Sequence, residues 1–368
     1  MKNLFEAMIN LLQNHENFAV ATVFDKSGSA PRSDGAKMVV RADGSIVGTI
    51  GGGRLEAETI ELARESISLK RTLVHTFNMT SRDAAGTDMI CGGRGEILID
   101  FIDSGDENNL KIFAEAVEIL ESKEKGWLIN ILGQPAEKGG INRQRCLVKP
   151  DHTMIGNITC DPFLLEKMIA GPAKITIHSE IYSDQRFLVE PLRQGGTVYI
   201  FGGGHISQKV APLCESVGFK TVVLDDRKDY ANRGRFPEPV EIMVIPSLEK
   251  LPDLEIDEDS YLVIVTRGHL FDRHVLEQVV GTRAGYIGMI GSRRKRDLLY
   301  RAMEDNGFTP EELARVHCPI GTDIKAETPE EIAISIAGEL VKVRAEKNSI
   351  PKEEKAGLSA ACCQSLEK

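Results

Sequence analysis

At 368 residues, with 42% hydrophobic and 27% charged side chains, the chain is too long for one ordinary core and suits two folded domains. A formal net charge of −10 argues against a protein whose main partner is a nucleic-acid backbone or an anionic membrane surface, and no run is apolar enough to cross a bilayer. The seven cysteines are odd in number, scattered and without a Cys-x-x-Cys pair, so neither a disulfide framework nor a zinc site is indicated.

The N-terminal stretch MKNLFEAMINLLQNHENFAV mixes charge and amide groups into an apolar period and has no small-residue cleavage site. It reads as an amphipathic helix, and the chain is expected in the cytoplasm. FAVATVFDKSG (18–28) follows as a strand, and the two apolar runs of AKMVVRADGSIVGTI (36–50) flank Ala-Asp-Gly-Ser as a hairpin does. RLEAETIELARESISL (54–69) has helical periodicity, RTLVHTFNM and GEILIDFI read as strands, and a helix is expected over 109–122. With the strand-like runs GWLINIL, KITIHSEIY and RFLVEPL, this half reads as an α+β domain over residues 1–192 with antiparallel pairing.

The pattern changes at a turn-rich joint, Pro191-Leu-Arg-Gln-Gly-Gly196. TVYIF, GHISQKVAPLCESVG and TVVLDD alternate strand, helix, strand, and EIMVIP, SYLVIVT and AGYIGMIG continue with Val- and Ile-rich runs that lack polar alternation. Such runs suit strands buried on both faces, so residues 193–347 are expected to form a Rossmann-like doubly wound parallel sheet. Residues 348–368 lose their period and read as a tail, in which Cys362 and Cys363 carry no metal-site spacing.

Four stretches carry the residue types that chemistry needs. In FGGGHIS, Gly202 supplies a tight turn and Gly204 lets the backbone approach a pyrophosphate at a helix N-terminus beginning near His205. Asp225 stands about 20 residues on, where an acid meets ribose hydroxyls. Nucleotide or pterin-phosphate binding and a purely packing role both fit that turn. TRGHLFDRHV (266–275) and IGMIGSRRKRDLL (287–299) each follow a strand, with His269, Asp272 and His274 in one and Ser292 to Arg296 in the other. They read either as ligand sites or as a structural histidine and a solvated charged face. In GTIGGGRLEAE, Gly51, Gly52 and Gly53 enter a helix at Arg54, offering free amides and a positive dipole end to an anion. In MICGGRG, Cys91 precedes Gly92 and Gly93, which cannot shield it, and Arg94 favours its thiolate; an inert buried thiol is the alternative.

Taken in order, GSAPRSDGAKM, DGSIVGTIGGGRLEAE, MICGG, VYIFGGGHIS, VVLDDR, YIGMIGSRRK and HCPIGTDIKAETPEEIAISI resemble the XdhC/CoxI family of xanthine dehydrogenase accessory factors, from about residue 10 to 345. The resemblance implies a maturation factor, not a self-contained enzyme. Such a factor binds the molybdenum cofactor (molybdopterin), protects it while a cysteine desulfurase supplies the sulfur ligand, and passes it to a xanthine dehydrogenase-type molybdenum hydroxylase. By motif, Cys91 would be the catalytic thiol at the molybdenum, Gly92 and Gly93 would leave room for the cofactor, and Gly51, Gly52, Gly53 and Arg54 would bind its phosphate or pterin. Gly202, Gly204, His205 and Asp225 would serve the Rossmann-like half. The chain departs from the family at Thr266-Arg-Gly-His269, where relatives tend to show Thr-His-Asp-His. The alternative expectation is an NAD(P)-dependent oxidoreductase working from the C-terminal half. A homodimer is compatible with the sequence and not demanded by it.

Overall fold

The computed structural model describes residues 1–28, 35–79, 93–122, 124–135, 140–170, 175–180, 185–193 and 195–347. The chain forms two compact units, Met1–Arg193 and Gln194–Lys368.

The first unit runs α1 (Lys2–Gln13), β1 (Phe18–Gly28), β2 (Lys37–Arg41), β3 (Ile46–Gly48), α2 (Gly53–Leu69), β4 (Leu73–Met79), β5 (Gly93–Ile102) and α3 (Glu107–Glu121). It continues through β6 (Lys125–Pro135), β7 (Ile141–Val148), β8 (Met154–Asn157), α4 (Pro162–Ile169), β9 (Thr176–Glu180) and β10 (Gln185–Arg193). The strands make two five-stranded sheets, ordered β3-β2-β1-β5-β4 and β8-β7-β6-β10-β9. Neighbouring strands within each are antiparallel, the expected arrangement.

Side-chain alternation decides which core each strand feeds. Phe18 and Val20 of β1 turn to the layer filled by α1 and α3, with Phe5, Met8, Ile112 and Phe113. Ala19, Ala21 and Val23 turn to the opposite layer, against Leu55 and Ala63 of α2. The 36–50 hairpin forms as read, with Met38 opposite Gly48 and Val40 opposite Ile46.

The joint read at 191–196 overlaps the strand-like run RFLVEPL, and at the overlap the chain is strand. Pro191 and Leu192 belong to β10 and pair with Trp127 and Gly126 of β6. Among the described residues β9 accompanies β10 only as far as Val189, with no partner on that side of Pro191, and an unpaired edge is where a strand tolerates proline.

The second unit runs β11 (Thr197–Phe201), α5 (His205–Ser216), β12 (Lys220–Asp225), β13 (Glu241–Val244), β14 (Ser260–Ile264), α6 (His269–Val279) and β15 (Tyr286–Met289). It ends with α7 (Arg293–Glu304), α8 (Pro310–Ala314), β16 (Val316–His317) and α9 (Pro329–Lys347). The six strands are parallel, in the order β13-β12-β11-β14-β15-β16, with the reversal at β11 and β14. This is a Rossmann-like doubly wound sheet. Strand β11 is buried throughout and serves two cores. Tyr199 and Phe201 meet Val275, Leu276 and Met303 from α6 and α7, while Val198 and Ile200 meet Val210, Ile336 and Leu340 from α5 and α9. Among the described residues no helix is long and apolar enough to cross a membrane.

Candidate functional site

The turn after β11 is held from several sides. The Gly202 amide donates to the Leu224 carbonyl at 2.7 Å. Gly202 adopts φ +109°, and a Cβ there would come within 2.6 Å of the Val265 carbonyl, so only glycine fits against the end of β14. A Cβ on Gly204 would meet nothing within 4 Å, so open space lies before the N-terminus of α5, where His205 is exposed. Of this turn's glycines, Gly202 serves packing and Gly204 leaves the approach clear.

Asp225 lies fully buried at the end of β12, where the spacing places it. Its Oδ2 accepts from the Gly203 amide at 2.7 Å and from the Arg227 guanidinium at 2.9 Å. Its Oδ1 accepts from the Arg227 amide and Nε, each at 2.9 Å. Burial, the largest single influence, pushes the carboxyl up. The Arg227 side chain and the two amides together outweigh it and hold the group below the ordinary carboxylate range. Arg227 also stacks on Tyr230 at 3.6 Å from the ring centroid. The neighbouring Asp226 forms a two-pronged pair with Arg267, whose guanidinium lies 3.9 Å from the Phe271 ring centroid. Arg267 thus links the loop after β14 to the loop after β12.

The two later motifs come together. His269, Asp272 and Lys295, with Leu270, Met289 and Leu298, line part of a cavity of about 360 Å³ at the carboxyl ends of β14 and β15. His274 is not part of that lining; its Nδ1 lies 3.9 Å from Glu249. Asp272 is buried, and its Oδ1 accepts from the Thr266 amide at 3.1 Å and the Thr266 hydroxyl at 2.6 Å. Burial pushes its carboxyl above the usual range despite those bonds. Ser292 caps α7 by accepting from the Lys295 amide at 3.3 Å, which places Lys295 in the first turn.

In the first unit, Gly51, Gly52 and Gly53 all have positive φ, at +136°, +76° and +63°, a backbone that side chains with a Cβ rarely adopt. The amides of Ile50 and Gly52 are already engaged, each donating to Oε2 of Glu56 at 3.2 Å, and the Gly51 amide donates to the Thr49 hydroxyl at 3.1 Å. Glu56, in the first turn of α2, therefore occupies amides that the sequence offers to an external anion. Arg54 is exposed beside them. Cys91 and Gly92 lie outside the described residues. Gly93 opens β5, opposite Gly28 of β1 and Met79 of β4.

Sequence reasoning misses a buried charged group in the first unit. Lys37 Nζ stands 2.9 Å from Glu190 Oε2, with side chains only 7% and 4% exposed. Lys37 also donates to the Thr22 hydroxyl at 3.0 Å, whereas neither oxygen of Glu190 receives a directed hydrogen bond among the described residues. Nearby, Asp100 pairs with both Arg143 and Arg145. Burial pulls each guanidinium down to about 10, leaving it charged at neutral pH. The only signal is polar residues at alternate positions of apolar strands, which reads as a solvent-facing side when the partner sheet is unknown.

The fold and these sites define a two-unit α/β protein whose C-terminal half is Rossmann-like. Two family models match it, the XdhC and CoxI family over residues 11–78 and the XdhC Rossmann domain over residues 198–340, together more than half of the chain. The chain belongs to the XdhC and CoxI family.

Among curated proteins it is 26% identical over 352 residues to the uncharacterized protein YqeB of Escherichia coli K12, covering 95% of this chain and 47% of that one. The chain therefore spans about half the length of that relative. It is 22% identical to a probable xanthine dehydrogenase subunit from Bacillus subtilis, covering 94% of this chain and 98% of that one. It is 20% identical to the molybdenum cofactor insertion chaperone PaoD of E. coli, covering 93% and 88% respectively. A crystal structure of a xanthine dehydrogenase from Bacillus halodurans superposes with a TM-score of 0.74 at 22% identity, over 92% of this chain and 96% of that one, which shows the shared fold.

Proposed function

We propose that this chain is a maturation factor for the molybdenum cofactor. It holds the cofactor, protects it while a cysteine desulfurase supplies sulfur, and delivers it to a xanthine dehydrogenase-type molybdenum hydroxylase. The observation that carries this reading is the match to PaoD, a protein named as an insertion chaperone, which runs through both units instead of the Rossmann-like half alone. In this reading residues 1–192 contribute Cys91, whose soft thiolate suits molybdenum–sulfur chemistry, and the glycine turn at 51–53 with Arg54. Residues 193–347 contribute the open approach at Gly204 and His205. The cofactor would supply the redox metal; the chain's residues bind it, exclude water and present it.

A nicotinamide-dependent oxidoreductase fits less well. That role needs Asp225 to accept ribose hydroxyls, and both of its oxygens are bonded within the chain.

The test is gel filtration of the purified protein after mixing with molybdenum cofactor under reducing conditions, wild type beside Cys91→Ser. Retention by wild type and its loss in the variant are expected. No retention under conditions where a known carrier retains the cofactor would sink the reading.

A further inference from the structure

The cavity between α6 and α7 is lined by two motifs that lie some 20 residues apart in sequence, and its chemistry is divided. One wall is apolar and includes Met289, Leu298 and Leu299, and two of the lining leucines, Leu270 and Leu298, remain 59% exposed at its rim. Two large apolar side chains at the rim of a hollow with polar groups inside give the mixed lining of a small-molecule site. The polar side includes His269, Asp272 and Lys295, with Arg273 and Arg296, which are paired with Glu277 and Asp297.

Asp272 has its Oδ1 tied to Thr266, whereas its Oδ2 faces only His269 Nδ1 at 3.8 Å, too long for a hydrogen bond. Among the described residues this second oxygen has no hydrogen-bond donor, and it is not sealed from the cavity, so N–H groups of a ligand can reach it. Lys295 and His269 stand ready for an anionic substituent on the same molecule.

We propose that this cavity binds a planar heterocycle carrying a 2-amino-4-oxo-pyrimidine edge and an anionic group. The ring lies on the leucine wall, the amino edge donates to Asp272 Oδ2, and the anion meets Lys295 and His269. Guanine nucleotides and pterins share that chemistry. Choosing the pterin as the natural occupant rests on the maturation role proposed above.

The test is a fluorescence titration of the full chain with pterin-6-carboxylate, beside lumazine-6-carboxylate, whose 2-oxo group replaces the amino donor, and calorimetry with GMP. Two variants accompany it. Asp272→Asn keeps the Thr266 bond through its amide oxygen but turns a donor toward the ligand's donors. Leu298→Arg alters only an exposed rim position, so the core stays intact. Pterin-6-carboxylate is expected to bind about tenfold or more tightly than the lumazine, with a loss of at least about tenfold in either variant while the circular dichroism is unchanged. Binding of GMP but not of the pterin would support the site and overturn the pterin as its occupant. Absence of binding by both at millimolar concentration, or binding indifferent to both variants, would overturn the site. A chain that failed in this way yet retained molybdenum cofactor on gel filtration would leave the maturation role standing.

Discussion

Asp225 sits where strand-turn-helix spacing puts an acid, yet its partners set its role. The bidentate Arg227 contact and the Gly203 amide make it a clamp on the glycine turn. Asp225→Asn is expected to cost about 3 kcal/mol in urea denaturation, because it leaves a partly buried guanidinium without its counter-charge. The carboxyl is held below its ordinary value in the folded state, so the unfolded chain takes the proton first. The stabilisation is present above about pH 4 and is lost as pH falls through the lower folded value. The variant should therefore show a flatter acid limb than wild type.

Thiols give a second measurement at this scale. Burial pushes Cys146 and Cys214 up to about 12 and Cys318 to about 11. Native alkylation at pH 8, read by mass spectrometry, should leave these three unmodified, whereas a Cys91 that serves as a reactive thiol is modified rapidly. Little in the sequence around Cys146 or Cys214 separates them from Cys91; the glycines after Cys91 are its distinguishing mark.

Secondary structure is legible where a period runs long. The hairpin of β2 and β3, the α2 helix and the buried parallel strands are visible because apolar spacing alone specifies them. The run RFLVEPL is visible as a strand through its proline, and β10 ends one residue beyond it. Two-residue β16 carries too little pattern to find. The Lys37–Glu190 pair joins β2 of one sheet to β10 of the other, a relation only tertiary structure reveals. Glu190→Ala should cost about 3–5 kcal/mol by leaving the lysine uncompensated. Lys37→Met with Glu190→Leu should recover most of that loss, and a double-mutant cycle in urea measures it.

The sequence changes pattern near residue 195, but the arrangement of charges inside the first unit is not legible in it. The chain's single tryptophan, Trp127, lies on β6 of the first unit. Each unit has its own cores. Glu190→Ala should therefore move the tryptophan fluorescence transition to lower urea. Asp225→Asn should leave that transition in place while shifting part of the far-ultraviolet circular dichroism.

Glu56 and Asp225 lend the two glycine-rich turns a common property. Each turn satisfies its amides with a carboxylate from its own chain, Glu56 for Ile50 and Gly52, and Asp225 for Gly203. A phosphate seeking those amides would meet a resident of its own sign, so entry becomes an exchange instead of a filling.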